Sequence, residues 1–86
     1  MSVSSSASQQ ILWVKKVEYH ASHASAEDCK NLEKLAENFY LLEPPIDSGV
    51  DLVNHKIMND EPHLLQSCSE IALLAKSVLN NLKNQR

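Results

Sequence analysis

The stretch DEPHLLQSCSEIALLAKSVLNNLKNQR, residues 60–86, carries the longest regular pattern in the chain. Leu64, Cys68, Ile71, Ala75, Val78 and Leu82 follow one another at steps of four, three, four, three and four. That 3.5-residue repeat keeps the whole row on one side of a helix. Leu65, Ala72 and Leu79 lie beside the row and widen it to about three positions in seven, the face of a bundle helix rather than a coiled-coil seam. Asp60 and Glu61 stand where a helix N-terminus favours negative charge, and Pro62 falls in the first turn, where its missing N–H leaves nothing unbonded. Lys76, Lys83 and Arg86 lie toward the opposite end of the dipole. The pattern predicts a helix over residues 62–84 that packs through one face.

Working back along the chain, Asp47-Ser48-Gly49 opens a shorter helix over 49–58. Ser48 and Asp51 fit a capping arrangement, and Val50, Val53 and Ile57 share a face. Asn59 through Pro62 reads as a stop and restart rather than a kink. Further upstream, Ser25 is a good N-cap for a helix over 26–42, with Glu27 and Asp28 in its first turn. Cys29, Leu32, Ala36 and Phe39 step along one face of that helix, flanked by Leu35, Tyr40 and Leu42. Pro44-Pro45 closes it.

Residues 11–20 (ILWVKKVEYH) are ambiguous. On a helix, Ile11, Leu12, Trp13, Val14, Val17 and Tyr19 point nearly all the way round. On a strand, Trp13, Val17 and Tyr19 share a face, and a lone strand has to pair with another chain. Nothing else in the sequence offers a partner strand, which favours a helix over about 9–20. The Ser-rich residues 1–8 read as a disordered tail. The expected fold is therefore all-α: a single helical domain over 9–86, built as a small antiparallel bundle of three to four helices behind that tail.

A chain of 86 residues makes one domain with a small core, and oligomerisation or a partner is a common remedy for that. The net charge of −3 argues against nucleic acid, which needs a clustered basic surface. Lys15-Lys16 is the main basic cluster before the C-terminal end, and a recognition helix would have to use the fraying residues 80–86. No run approaches the ~20 apolar residues of a membrane span, and no secretory leader is evident, so the expected location is cytoplasmic. Cys29 and Cys68 fall on apolar stripes and read as small buried hydrophobes, with a single disulfide across two helices as the alternative.

Few residues suggest chemistry. His20 and His23 share a helix side near Glu27 and Cys29, but zinc needs three or four ligands in a defined shell, and histidines at a helix C-terminus gain from the dipole while facing water. His55 and His63 read as surface residues. A thiol in mid-stripe is inert rather than activated, and the sequence has no phosphate-binding glycine loop and no nucleophile elbow. The expectation is a non-enzyme with no metal and no cofactor. What remains is surplus apolar surface. Leu41, Leu52 and Leu73 lie opposite the stripes of their helices, and Leu74 lies on a flank. With Ile11, Leu12, Trp13 and Val14 they form the candidate partner-binding set, and Trp13 is its expected main contact, because tryptophan is costly to leave wet and is enriched where interfaces concentrate their energy. The functional reading is a protein–protein interaction module: a subunit, adaptor or dedicated chaperone. The alternative is a self-associating structural or regulatory homo-oligomer with no separate client.

Overall fold

The computed structural model describes residues 5–60 and 65–84. Four helices account for most of them: α1 (Ser5–His23), α2 (Ala26–Glu37), α3 (Ser48–Asn59) and α4 (Leu65–Asn84), with a 3-10 turn at Phe39–Leu41. The described residues contain no strand, so the all-α reading holds and the strand alternative for residues 11–19 falls. Glu61, Pro62, His63, Leu64 and Arg86 lie outside the described residues, as do residues 1–4 of the expected tail.

The first helix is longer than its apolar pattern implies. It begins at Ser5, inside the expected tail, and runs to His23. Gln10, Trp13, Val14, Val17 and Ala21 are its buried positions, a helical row with one polar member. Leu12, Lys16 and Tyr19 form the opposite, exposed row. The helix ends because Ala24 takes a left-handed φ of 55°, with its N–H bonded to the His20 carbonyl at 3.0 Å.

Ser25 caps α2 as its sequence suggests. Its hydroxyl accepts the Asp28 N–H at 3.1 Å, and the Asp28 carboxylate accepts the Ser25 backbone N–H at 3.4 Å, closing a capping box; the Ser25 hydroxyl also donates to that carboxylate at 2.6 Å. The helix stops at Glu37, well short of residue 42. Asn38 leaves helical geometry (φ −90°, ψ 4°), and Phe39 meets the Trp13 ring edge-on with centroids 5.3 Å apart. The helix α3 is capped one residue earlier than Ser48. The Asp47 carboxylate accepts the Gly49 N–H at 2.7 Å, and the Asp47 carbonyl accepts the Asp51 N–H at 3.0 Å. Asp60 does not open the last helix. It is extended (ψ 155°) and ends α3, with its carboxylate 2.9 Å from the Lys56 ammonium.

The main packing is α1 on α4, with α2 against α1 and α3 against α4. Cys68, Ile71, Ala75 and Val78 of the repeat are buried, and Leu82 is half-buried. Ala72 and Leu79 flank them half-buried, whereas Leu65 is exposed. Leu32 of α2 and Val50 and Val53 of α3 complete the interior with Val14 and Val17. Cys29 and Cys68 meet there with their sulfurs 3.7 Å apart. Burial, then the neighbouring Cys29 thiol, pushes the Cys68 thiol up to about 11, so little of it is thiolate at neutral pH.

Candidate interaction surface

Two turns of α1 and the chain leaving α2 form a shallow notch of about 260 Å³. Its wall is Trp13. Trp13 is 5% exposed, and its Nε1–H donates to the Leu35 carbonyl at 2.9 Å. Leu35 lies in the last turn of α2, where carbonyls lose intrahelical donors as the chain turns away at Asn38. The tryptophan thus meets its one polar requirement internally while its carbon surface packs on Phe39. On the rim, Leu12 is 53% exposed and Leu41 62%, and Leu35 and Leu42 line the notch between them. Lys16 and Asn38 supply a polar border. Tyr40, 78% exposed, stands beside Leu41 in the same 3-10 turn.

A second, larger groove of about 570 Å³ lies between the start of α3 and the end of α4. Leu52 and Leu74 both line it, but so do Asp47, Ser48, Ser77 and Asn81. The structure therefore divides the candidate residues. Leu12 and Leu41 share the first groove, and Leu52 and Leu74 share the second, where Leu74 is half-buried. Leu73 is exposed and lines neither groove. Ile11 is half-buried. Trp13 and Val14 correct the sequence reading: both point into the core, because α1 turns its bulkiest ring and its 10–14–17–21 row toward the other helices. Val14 is fully buried, and Trp13 leaves only its edge at the notch.

Gln10 is the positioning residue that the sequence did not announce. It is almost fully buried. Its Nε2–H₂ donates to the carbonyls of Pro45 (2.9 Å) and Glu43 (3.4 Å), and its Oε1 accepts the Asp47 N–H at 3.0 Å. Two consecutive prolines, joined by a cis peptide bond, have no N–H of their own to give, and the glutamine amide serves the loop instead. Its only signal is a polar residue in register with Val14, Val17 and Ala21. Asn54 is the other buried polar residue among those described. Its Nδ2 reaches the Met58 sulfur at 3.5 Å, and its Oδ1 has no hydrogen-bond partner.

Electrostatics on the rest of the surface serve the bundle. His20, at the end of α1, lies 2.7 Å from the Asp28 carboxylate at the start of α2. The His20 hydrogen bond, followed by that of Ser25, holds the Asp28 carboxyl below the usual range. His20 is therefore tied across the α1–α2 corner rather than turned to water. His23 instead hydrogen-bonds the Tyr19 carbonyl at 2.7 Å. Lys56 bridges Asp60 and Glu70, and Asp60 first and Glu70 second favour its charged form. No group of three or more His, Cys, Asp or Glu side chains among the described residues is arranged to hold a metal ion. No described helix is long and apolar enough to cross a membrane.

The architecture is that of a small all-α bundle. Comparison with protein-family models, curated proteins and solved structures gives no match.

Proposed function

We propose that the chain is a non-enzymatic protein–protein interaction module whose contact surface is the notch between α1 and residues 38–42. The observation that carries this is the convergence of Leu12 and Leu41, far apart in sequence and both more than half exposed, on the rim of a single notch walled by Trp13. A monomer gains nothing from holding two leucines and Tyr40 in water at one place, whereas a helix or loop laid across them gains about 25 cal/mol for each Å² of apolar surface it covers. The proposed partner is a protein rather than a nucleic acid, since the chain carries a net charge of −3 and the notch brings one lysine to its border. Subunit, adaptor and dedicated chaperone all fit this use of the surface.

The test pairs Leu12→Asp with Leu41→Asp in the full chain. Circular dichroism should stay that of the wild type, because neither side chain is part of the core. A protein cross-linked to the wild-type chain in its native host should no longer be captured by the double variant. A wild-type chain that dimerises with rising concentration in sedimentation, and a double variant that does not, would assign the same surface to self-association. Capture and sedimentation both unchanged would remove the notch as an interface.

A further inference from the structure

The two core thiols are a second feature of the fold, independent of the notch and of any partner it binds. We propose that Cys29 and Cys68 are a built-in modification site: an intramolecular disulfide that forms on exposure to a peroxide and ties α2 to α4. Two observations support it. The sulfurs already lie in contact, 3.7 Å apart across the core, although the residues are 39 apart in sequence. A disulfide requires ~2.05 Å, so each sulfur has to move by only about 0.8 Å. The two thiols also differ in access, since Cys68 is fully buried while Cys29 sits at the edge of the core with 7% exposure. One thiol is thus placed to meet an oxidant, and the other to resolve the product.

Both thiols are buried, which restricts them to a small oxidant. Hydrogen peroxide is little larger than water, whereas a peptide-sized disulfide such as oxidised glutathione needs far more room. The Cys29 thiolate attacks one peroxide oxygen, the O–O bond breaks, and the departing hydroxide takes up a proton to leave as water, giving a sulfenic acid on Cys29. The Cys68 sulfur then attacks Cys29 Sγ, and the S–O bond breaks. The hydroxide leaves as a second water with the Cys68 proton. In sum, two thiols lose two electrons to one peroxide, yielding one disulfide and two waters. The second step is slow, because a thiol pushed up to about 11 supplies little thiolate at neutral pH. It proceeds nonetheless because the sulfurs are adjacent.

The experiment uses the full reduced chain, treated with hydrogen peroxide, quenched with a thiol-alkylating reagent and followed by intact mass, proteolytic mapping and melting. The expected product is a monomer lighter by two hydrogen atoms, with Cys29 linked to Cys68 and the link opened by dithiothreitol. Closing a 39-residue separation should raise its Tm by roughly 10 °C. In Cys68→Ala, Cys29 should hold the sulfenic acid and be trapped by dimedone, while in Cys29→Ala the remaining thiol should stay unmodified. The proposal is overturned if Cys29 advances to the sulfinic acid with Cys68 intact, if neither thiol reacts, if the link joins two chains, or if the link lowers the Tm.

Discussion

The notch beside α1 brings together two outward leucines, whereas the groove between α3 and α4 pairs the outward Leu52 with a half-buried Leu74, and they are different kinds of surface. The α3–α4 groove is about twice the size and is lined by Asp47, Ser48, Ser77 and Asn81 around Leu52 and Leu74. The α1 notch is smaller, and its wall is an indole whose only donor is already bonded inside the protein. Hydroxyl, carboxylate and amide groups border the first and hydrogen-bond water there. The second is bordered by Gln9, Lys16 and Asn38 but floored by Trp13, Leu35 and Leu42. An outward leucine therefore means little until its neighbours in space are known, and cavity size is a poor guide to which surface is meant for a partner.

The sharpest way to break the comparison is to remove the notch wall. Trp13→Ala should destabilise the isolated chain by ~3–5 kcal/mol, the usual cost of an aromatic deletion in a core. It also takes away the Leu35 carbonyl's donor and the ring packed against Phe39. Urea unfolding followed by circular dichroism measures this. A loss under ~1 kcal/mol would mean that the indole is an interface anchor after all, and the distinction between the two grooves would collapse.

Gln10 tests whether the two regions are independent. Its amide holds the carbonyls of Glu43 and Pro45 next to the 3-10 turn that carries Leu41, and it also holds the N–H of Asp47, the residue that caps α3 in the other groove. Gln10→Ala removes the amide bonds to those groups and should cost ~1–3 kcal/mol. Proteolysis should quicken within residues 43–47. Unchanged stability with unchanged proteolysis would show that the loop keeps its shape without the glutamine.

How far the sequence led differs between the same regions. The α4 stripe was legible because a regular 3.5-residue repeat leaves one answer, and Cys68, Ile71, Ala75 and Val78 are buried accordingly. The N-cap at Ser25 was legible because capping is local chemistry. Trp13 was not. Four consecutive apolar residues on a helix point in four directions, and only the tertiary contacts with Leu35 and Phe39 decide that Trp13 and Val14 turn inward while Leu12 turns out. Leu41 was read as outward on a helix that in fact stops at Glu37, so its exposure comes from a 3-10 turn instead. Gln10 was hidden because its partners are backbone groups more than thirty residues away, which no local pattern encodes.

Gly49 shows how closely α3 and α4 approach beside their groove. A Cβ built at this position would stand 3.1 Å from the Asp47 carboxylate and 3.1 and 3.3 Å from the two methyl groups of Val78. Gly49→Ala gains ~0.5–1 kcal/mol of helix preference and loses ~1–3 kcal/mol to crowding, for a net loss of about 1 kcal/mol. A stabilised variant would show that α3 and α4 have slack there, and that the groove can open to admit a ligand.

The smallest effect on folding belongs to the leucines themselves, and it separates the two grooves most directly. Leu41→Ser and Leu52→Ser each remove a side chain that is more than half exposed. Substitutions at such positions usually stay within about ±0.5 kcal/mol, so both variants should unfold at nearly the wild-type urea midpoint. Their association should differ. Leu41 stands on a rim beside Tyr40, Leu12 and the buried indole, where excluding water from one leucine also dries its neighbours. Leu52 stands among Ser48, Ser77 and Asn81, where a partner would have to strip water from hydroxyl and amide groups to reach it. Titration against whichever partner the wild-type chain binds, or sedimentation if that partner is a second copy, should show Leu41→Ser weakened by ~2 kcal/mol, the scale of an interface hot spot. Leu52→Ser should bind as the wild type does. The reverse order would transfer the interface to α3 and α4 and leave the notch as ordinary surface.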